Sequence, residues 1–165
     1  MSDHESEFGA FFQVSWEPCL RAVVAVVGSS QLAEDQVAEA FARAWTSWRT
    51  VRRHPAPQAW VVRTALNAGA SWWRRRRREL PLADHDWTAH DSRDGGLDAA
   101  LLTAIWRLPP RQREVIALRI FLDLDTAAIA RQLGIEPGTV RMHLSRGVTA
   151  LRSELTPTMN TEADR

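Results

Sequence analysis

The sequence has no lysine and no tyrosine, and it holds one cysteine and three methionines in 165 residues. A single thiol, Cys19, excludes an intramolecular disulfide and any cysteine-rich zinc site. It has no recognisable catalytic partner and reads as a packed thiol. The five histidines are scattered without a ligand spacing such as HxxxH, so neither a metal nor a cofactor is expected, and no enzymatic centre. Eight glycines and eight prolines are too few for a collagen-like or low-complexity chain. Long hydrophobic runs are missing too. The longest uncharged stretch near the start, Ala22 to Ala33, is shorter than the roughly 20 residues that span a bilayer, and no basic segment precedes it. No signal peptide and no membrane insertion are expected, and a reducing cytoplasm is the simplest location.

What is present is ordinary in bulk. A chain that is 45% hydrophobic and 25% charged is composed like a globular protein, and its length suits one average domain or two small ones. The net charge of +1 conceals a segregation. Residues 1–78 carry +4, residues 79–98 carry −5 and residues 99–165 carry +2. Two basic blocks flanking an acidic one point to polyanion binding better than the overall balance does. Every basic residue is arginine, which reads as coding bias of a GC-rich genome, although guanidinium also suits bidentate phosphate and base contacts.

The periodicity is helical on both sides of the acidic block, and no strand-like alternation is present. Val23, Val24, Val26 and Val27 lie in an apolar helix closed by Gly28-Ser29-Ser30. Leu32, Val37, Phe41, Ala44, Trp45 and Trp48 recur at three- and four-residue steps, which predicts one buried helix face. His54-Pro55-Ala56-Pro57 breaks the chain, because proline lacks an amide donor and disfavours helix in the residue before it. A further helix carries Trp60, Val61, Ala65 and Leu66 into Trp72-Trp73 and the run Arg74, Arg75, Arg76, Arg77, Arg78. Trp60 is expected in the core. Aromatics beside arginines can stack unpaired bases while the charges follow a backbone.

The segment from Leu80 to Leu97 is dense in Pro, Gly, Ser and Asp, and reads as a solvated linker. The expected division is therefore 1–79 and 99–157 as two all-α units, 80–98 as linker and 158–165 as a frayed tail. The second unit predicts helices over Leu101–Leu108 and Arg111–Phe121, the latter with Val115, Ile116, Leu118 and Ile120 apolar. Asp125 can cap a following helix and Gly134 can end it; Pro137 then opens a last helix reaching about Leu155. Helix, short glycine turn and helix make a helix-turn-helix. In the last helix Val140, Leu144, Val148 and Leu151 share the inner side, while Thr139, Met142, Ser145, Arg146 and Thr149 face outward with Arg141 and His143 on the flanks. A helix inserted in the major groove presents such groups to base edges from its first turns.

These residues carry a resemblance. Ala33-Glu34-Asp35-Gln36-Val37-Ala38-Glu39-Ala40-Phe41-Ala42-Arg43-Ala44-Trp45, with Ala59-Trp60-Val61-Val62-Arg63, Asn67 and the arginine run, resembles region 2 of the bacterial extracytoplasmic-function (ECF) sigma factors. Leu108-Pro109-Pro110-Arg111-Gln112-Arg113-Glu114-Val115 and the helix-turn-helix residues Ile129-Ala130, Leu133-Gly134-Ile135, Gly138-Thr139-Val140-Arg141 and Leu144-Ser145-Arg146 resemble region 4. Both sets stand in the family's order, and the actinobacterial SigE-like members look most similar. Ala38, Ala128 and His143 depart from the family's usual Gln, Glu and basic residue. The resemblance implies a dissociable initiation subunit that binds core RNA polymerase and promoter DNA, with an anti-sigma factor as a further partner. Asp35, Glu39 and Arg43 would meet the polymerase. Arg52, His54, Arg63, Asn67, Trp72, Trp73 and Arg74 to Arg78 would read and melt the −10 element. Thr126, Thr139, Arg141, Met142, Ser145 and Arg146 would read the −35 element. The alternative is a regulator that uses the helix-turn-helix on duplex DNA without joining the polymerase.

Overall fold

The computed structural model describes the backbone of residues 2–79 and 97–162 and the side chains of residues 2–69 and 99–156. Eight helices occur in the described residues, with no strand among them: α1 (Asp3–Val27), α2 (Ser30–Thr46), α3 (Trp48–Val51), α4 (Pro57–Glu79), α5 (Leu97–Trp106), α6 (Pro110–Leu122), α7 (Thr126–Leu133) and α8 (Pro137–Glu162). The all-α expectation is met.

Local chemistry sets the breaks. Ser2 and Glu5 form a reciprocal capping box at the start of α1. Gly28 ends the helix at φ 79°, the left-handed region that glycine enters at no steric cost. The Ser29 hydroxyl accepts from the Leu32 amide and starts α2. The His54–Pro57 break is where expected, and the Ala56 amide donates to His54 Nδ1 at 3.0 Å across the turn.

α1, α2 and α4 enclose a core of Cys19, Val23, Val37, Phe41, Val61 and Ala65. Phe8, Phe11, Phe12 and Trp16 of α1 add a ring cluster against Phe41, Trp45 and Trp48, with centroids 5.0 to 6.5 Å apart. Trp45 corrects the expectation of one buried face. It is 45% exposed, because Val37, Phe41, Ala44 and Trp48 already occupy the inner stripe and leave it leaning on Phe8 from outside. α1 is also long and apolar enough to cross a membrane by length and composition, contrary to the expected absence of such a segment. The uncharged run alone is too short to span a bilayer, whereas the helix continues back through Arg21 and Glu17. Its inner residues Ser15, Cys19 and Ala22 to Ala25 are buried in the fold, so it packs as a core helix.

α5 to α8 form the second group. Ile105, Leu108, Ile116 and Leu151 pack together, and Val140 is sealed among Val115, Leu118 and Ile129. Two apolar assignments are corrected. Ile120 is 42% exposed and Val148 37% exposed. The inner position of α8 is taken by Gly147, whose missing side chain lets α8 approach Ile116. Glycine carries no hydrophobic signal, so periodicity passed over it. α8 also runs to Glu162 rather than Leu155. Beyond Leu155 the sequence holds one long apolar residue, Met159, too few to set a period, and the pattern could not register a helix end.

Candidate nucleic-acid interface

The helix-turn-helix is built by its caps. The Asp125 carboxylate accepts from the Ala128 amide at 2.7 Å, fixing the start of α7. Gly134 takes φ 64° and turns the chain, and the Ile135 amide closes the end on the Ala130 carbonyl. Pro137 opens α8 where an amide donor is not needed. Val140, fully buried, pins the first turn of α8 inward. Opposite it, Arg141, Met142, Ser145 and Arg146 are exposed, and Thr139 is half-buried. The early turns of α8 thus present guanidinium, hydroxyl and thioether groups to solvent, the mixture that reads base edges and phosphates. Thr126 is half-buried at the first turn of α7.

In the first helical group, Asp35, Glu39 and Arg43 share an exposed face of α2. Glu39 and Arg43 form an ion pair at 3.0 Å one turn apart. On α4, Arg63 and Asn67 are exposed one turn apart, on the side away from the buried Val61, Val62 and Ala65. Asn67 lines an open cleft of about 420 Å³ with Arg43, Thr46, Ser47, Trp60 and Thr64. An indole beside hydroxyls and an amide offers a stacking surface and donors and acceptors for a planar polar ring.

Residues 17–79 match the family Sigma-70 region 2, and residues 98–151 match Sigma-70, region 4. The RNA polymerase sigma-E factor of Streptomyces coelicolor is 31% identical over 156 residues, covering 90% of this chain and 86% of that protein. The chain belongs to the sigma-70 family of RNA polymerase sigma factors. Its ECF character follows from a second relative, the ECF RNA polymerase sigma factor SigL of Mycobacterium tuberculosis, 32% identical over 150 residues and covering 86% of this chain and 82% of the relative. Among solved structures, the sigma factor RpoE of Bartonella quintana, crystallised with the anti-sigma factor NepR, superposes with a TM-score of 0.73 at 22% identity. It covers 91% of this chain and 97% of that one, so the likeness of fold extends through both regions.

Within this sigma factor the anticipated residues separate into groups. Arg141, Met142, Ser145 and Arg146 lie together on the outer side of α8. Arg63 and Asn67 lie together on α4, and Asn67 shares its cleft with Arg43, which joins two sets that the sequence kept apart. Arg52 lies elsewhere in its contacts: Nη1 donates to Glu7 Oε2 at 3.1 Å, and Trp48 Nε1 donates to the same oxygen. The Arg52 bond, chiefly, holds the Glu7 carboxyl below its ordinary value, with desolvation opposing. His54 is occupied in its own turn. Trp72, Trp73 and Arg74 to Arg78 fall on the backbone of α4, and their side chains lie outside the described residues. Trp60, expected in the core, is half-buried and forms part of the cleft. Thr46, Ser47 and Thr64 carry no motif in the sequence, since they lie at the end of α2, on the residue after it and on α4.

Proposed function

We propose that this ECF sigma factor joins core RNA polymerase through the α2 face of Asp35, Glu39 and Arg43, and directs initiation by reading two promoter elements. Residues 1–79 serve polymerase binding and −10 melting, residues 99–157 serve −35 recognition, and residues 80–98 connect them. The first four turns of α8 enter the major groove of the −35 element. Arg63, Asn67 and the Trp72–Arg78 segment engage the separated −10 strand, and an extruded base rests beside Trp60 among Thr46, Ser47 and Thr64. Unstacking a base costs a few kcal/mol, which the cleft offsets by stacking and hydrogen bonding. Arg52 and His54 contribute by shaping the turn before α4, consistent with their internal partners.

The observation that carries this reading is the presence of both sigma-70 regions, in order, in one chain. A regulator acting through its helix-turn-helix alone would have no use for the first. The chain acts in the cytoplasm as a recognition subunit, not as an enzyme; phosphodiester chemistry belongs to the polymerase core. An anti-sigma factor is a further partner, as RpoE has in its crystal structure. Run-off transcription with core polymerase on a random promoter library tests class and sequence preference together. Failure to form a stoichiometric complex with the core, while duplex DNA is still bound, would establish the regulator instead.

A further inference from the structure

α6 and α7 both meet α4, and a cavity of about 220 Å³ lies between them. Its lining is divided by polarity. Val26 of α1, Val62 and Leu66 of α4, Ala117 and Leu118 of α6 and Leu133 of α7 make an aliphatic floor. Val62, Ala117 and Leu118 are buried, and the other three are half-buried. The rest of the lining is polar: Arg63 and Asn67 of α4, Arg111 and Glu114 of α6, and Gln132 of α7. Arg111 Nη1 donates to Glu114 Oε2 at 2.9 Å, so that carboxylate already has its cation. Arg63 has no ion pair or hydrogen bond with any described residue. Two guanidiniums against one carboxylate leave one positive charge in excess. Gln132 Nε2 donates to the Ala59 carbonyl at 2.9 Å, which leaves its Oε1 as an acceptor, and Asn67 adds a second amide.

A wholly apolar cavity stays dry and a wholly polar one fills with water. An aliphatic floor beside an uncompensated cation suits neither, and matches an amphipathic anion. Volume narrows the class. A cavity of about 150 Å³ lined by apolar side chains accepts benzene. The further space here, about 70 Å³, is roughly two waters' share of liquid, enough for a carboxylate and one small substituent. Drug-sized and cofactor ligands ask for about 300–1,000 Å³, so a nucleotide is too large. An inorganic anion would leave the floor uncovered. A guanidinium stacks on a planar ring as well as pairing with a carboxylate, which favours an aromatic acid over an aliphatic one. A cationic ligand meets the wrong sign, because the one carboxylate is taken by Arg111.

We propose that this cavity is a binding site for a small aromatic carboxylate, a single ring carrying one polar substituent. The carboxylate pairs with Arg63, the ring lies on Val62, Leu66 and Leu133, and a ring hydroxyl donates to Gln132 Oε1. Arg63 belongs to region 2 and Gln132 and Leu133 to region 4, so neither region supplies the whole site. The site itself rests on the cavity and its charges alone. One consequence also rests on the proposed function: Arg63 and Asn67 are assigned to the −10 strand, so the ligand and that strand compete for them.

The test titrates the full-length chain with para-hydroxybenzoate in a calorimeter. One-to-one binding that saturates at millimolar concentration or below is expected. The neutral para-hydroxybenzyl alcohol keeps the ring and loses the charge, and should bind about tenfold more weakly. Arg63→Gln, an exposed substitution, should weaken the acid by about the same factor. Leu133→Trp should abolish binding by filling the floor, with circular dichroism as the check on folding. Should Leu133→Trp lose helicity, Arg63→Gln alone carries the comparison. Absence of saturable binding, equal binding of acid and alcohol, or binding that Arg63→Gln leaves unchanged overturns the site. A single-stranded −10 oligonucleotide should bind the chain about twofold more weakly when the acid is present at its own dissociation constant. Saturable, Arg63-dependent binding of the acid without that competition upholds the site and overturns the −10 roles of Arg63 and Asn67.

Discussion

Gly147→Ala measures how closely α8 rides on α6, the contact that seats the recognition helix. On backbone grounds alone the change is favourable, because glycine costs a helix interior about 1 kcal/mol relative to alanine. The space argues the other way. A β-carbon at position 147 would lie 2.7 Å from Ile116 Cγ1 and 2.9 Å from its Cδ1. Ile116 is 1% exposed, so it cannot swing into solvent, and overpacking of this kind costs about 1–3 kcal/mol. The contact wins, and a net loss of about 1 kcal/mol should lower Tm by about 2–4 °C in a chain of this size. Gly9 is the control. It lies inside α1 with nothing within 4 Å of an added β-carbon, so Gly9→Ala should raise stability by about 1 kcal/mol. Thermal unfolding of both variants, and of Gly147→Ala in an Ile116→Ala background, supplies the comparison. With the isoleucine gone the substitution should turn stabilising, as coupled neighbours do. If Gly147→Ala stabilises the otherwise unchanged protein as much as Gly9→Ala does, the close approach of α8 to α6 is refuted.

Arg141→Ala should relax discrimination within the −35 element, by about 1–3 kcal/mol for a bidentate guanine contact, while Arg146→Ala should weaken all sequences alike. Affinities for single-base variants of the element decide between these roles and their reverse. Replacing Arg74 to Arg78 by alanine should flatten the salt dependence of promoter binding. A drop of roughly two in the log–log slope means that two or three of them neutralise phosphate, and an unchanged slope leaves the run a surface patch. The Glu7 carboxyl is held below its ordinary value of 4.5 by Arg52, so its contribution to stability is present above that value and lost as pH falls through the lower folded one. Glu7→Gln should lower stability near neutral pH and flatten the acid limb in denaturation curves; an unchanged acid limb removes the Arg52 contact from the account. Burial pushes the Cys19 thiol up to about 12, so a disulfide reagent at mildly alkaline pH should react only as fast as the protein opens. Cys19→Ser should leave transcription intact, and fast labelling of the native chain would contradict a packed thiol.

Much of the local architecture was legible in the sequence because it depends on neighbours along the chain. The His54–Pro57 break, the Asp125 cap and the Gly134 turn each follow from donors, acceptors and backbone freedom within a few residues. The outward display of Arg141, Met142, Ser145 and Arg146 follows from the helical period and one buried neighbour, Val140. The family was legible for the same reason: its motifs are contiguous, and the matches over residues 17–79 and 98–151 coincide with them.

What the tertiary structure alone decided involves residues that no local pattern connects. A helical period ranks residues by hydrophobicity, so it chose Val148 over Gly147 and counted Trp45 as core. Packing instead ranked them by fit, since two helices approach most closely where a side chain is absent. The cleft beside Asn67 takes its hydroxyls from the end of α2, the residue after it and α4, and periodicity on either helix says nothing of their meeting. The packing of α6 and α7 on α1 and α4 is the extreme case. Gln132 and Ala59 stand 73 residues apart and Arg113 and Val26 stand 87 apart, yet each pair is joined by a single hydrogen bond. Periodicity and the distribution of charge supplied an all-α chain with two basic blocks; only the long-range fit of α6 and α7 on α1 and α4 decided that those blocks lie against each other, because that fit is a property of surfaces and not of any segment.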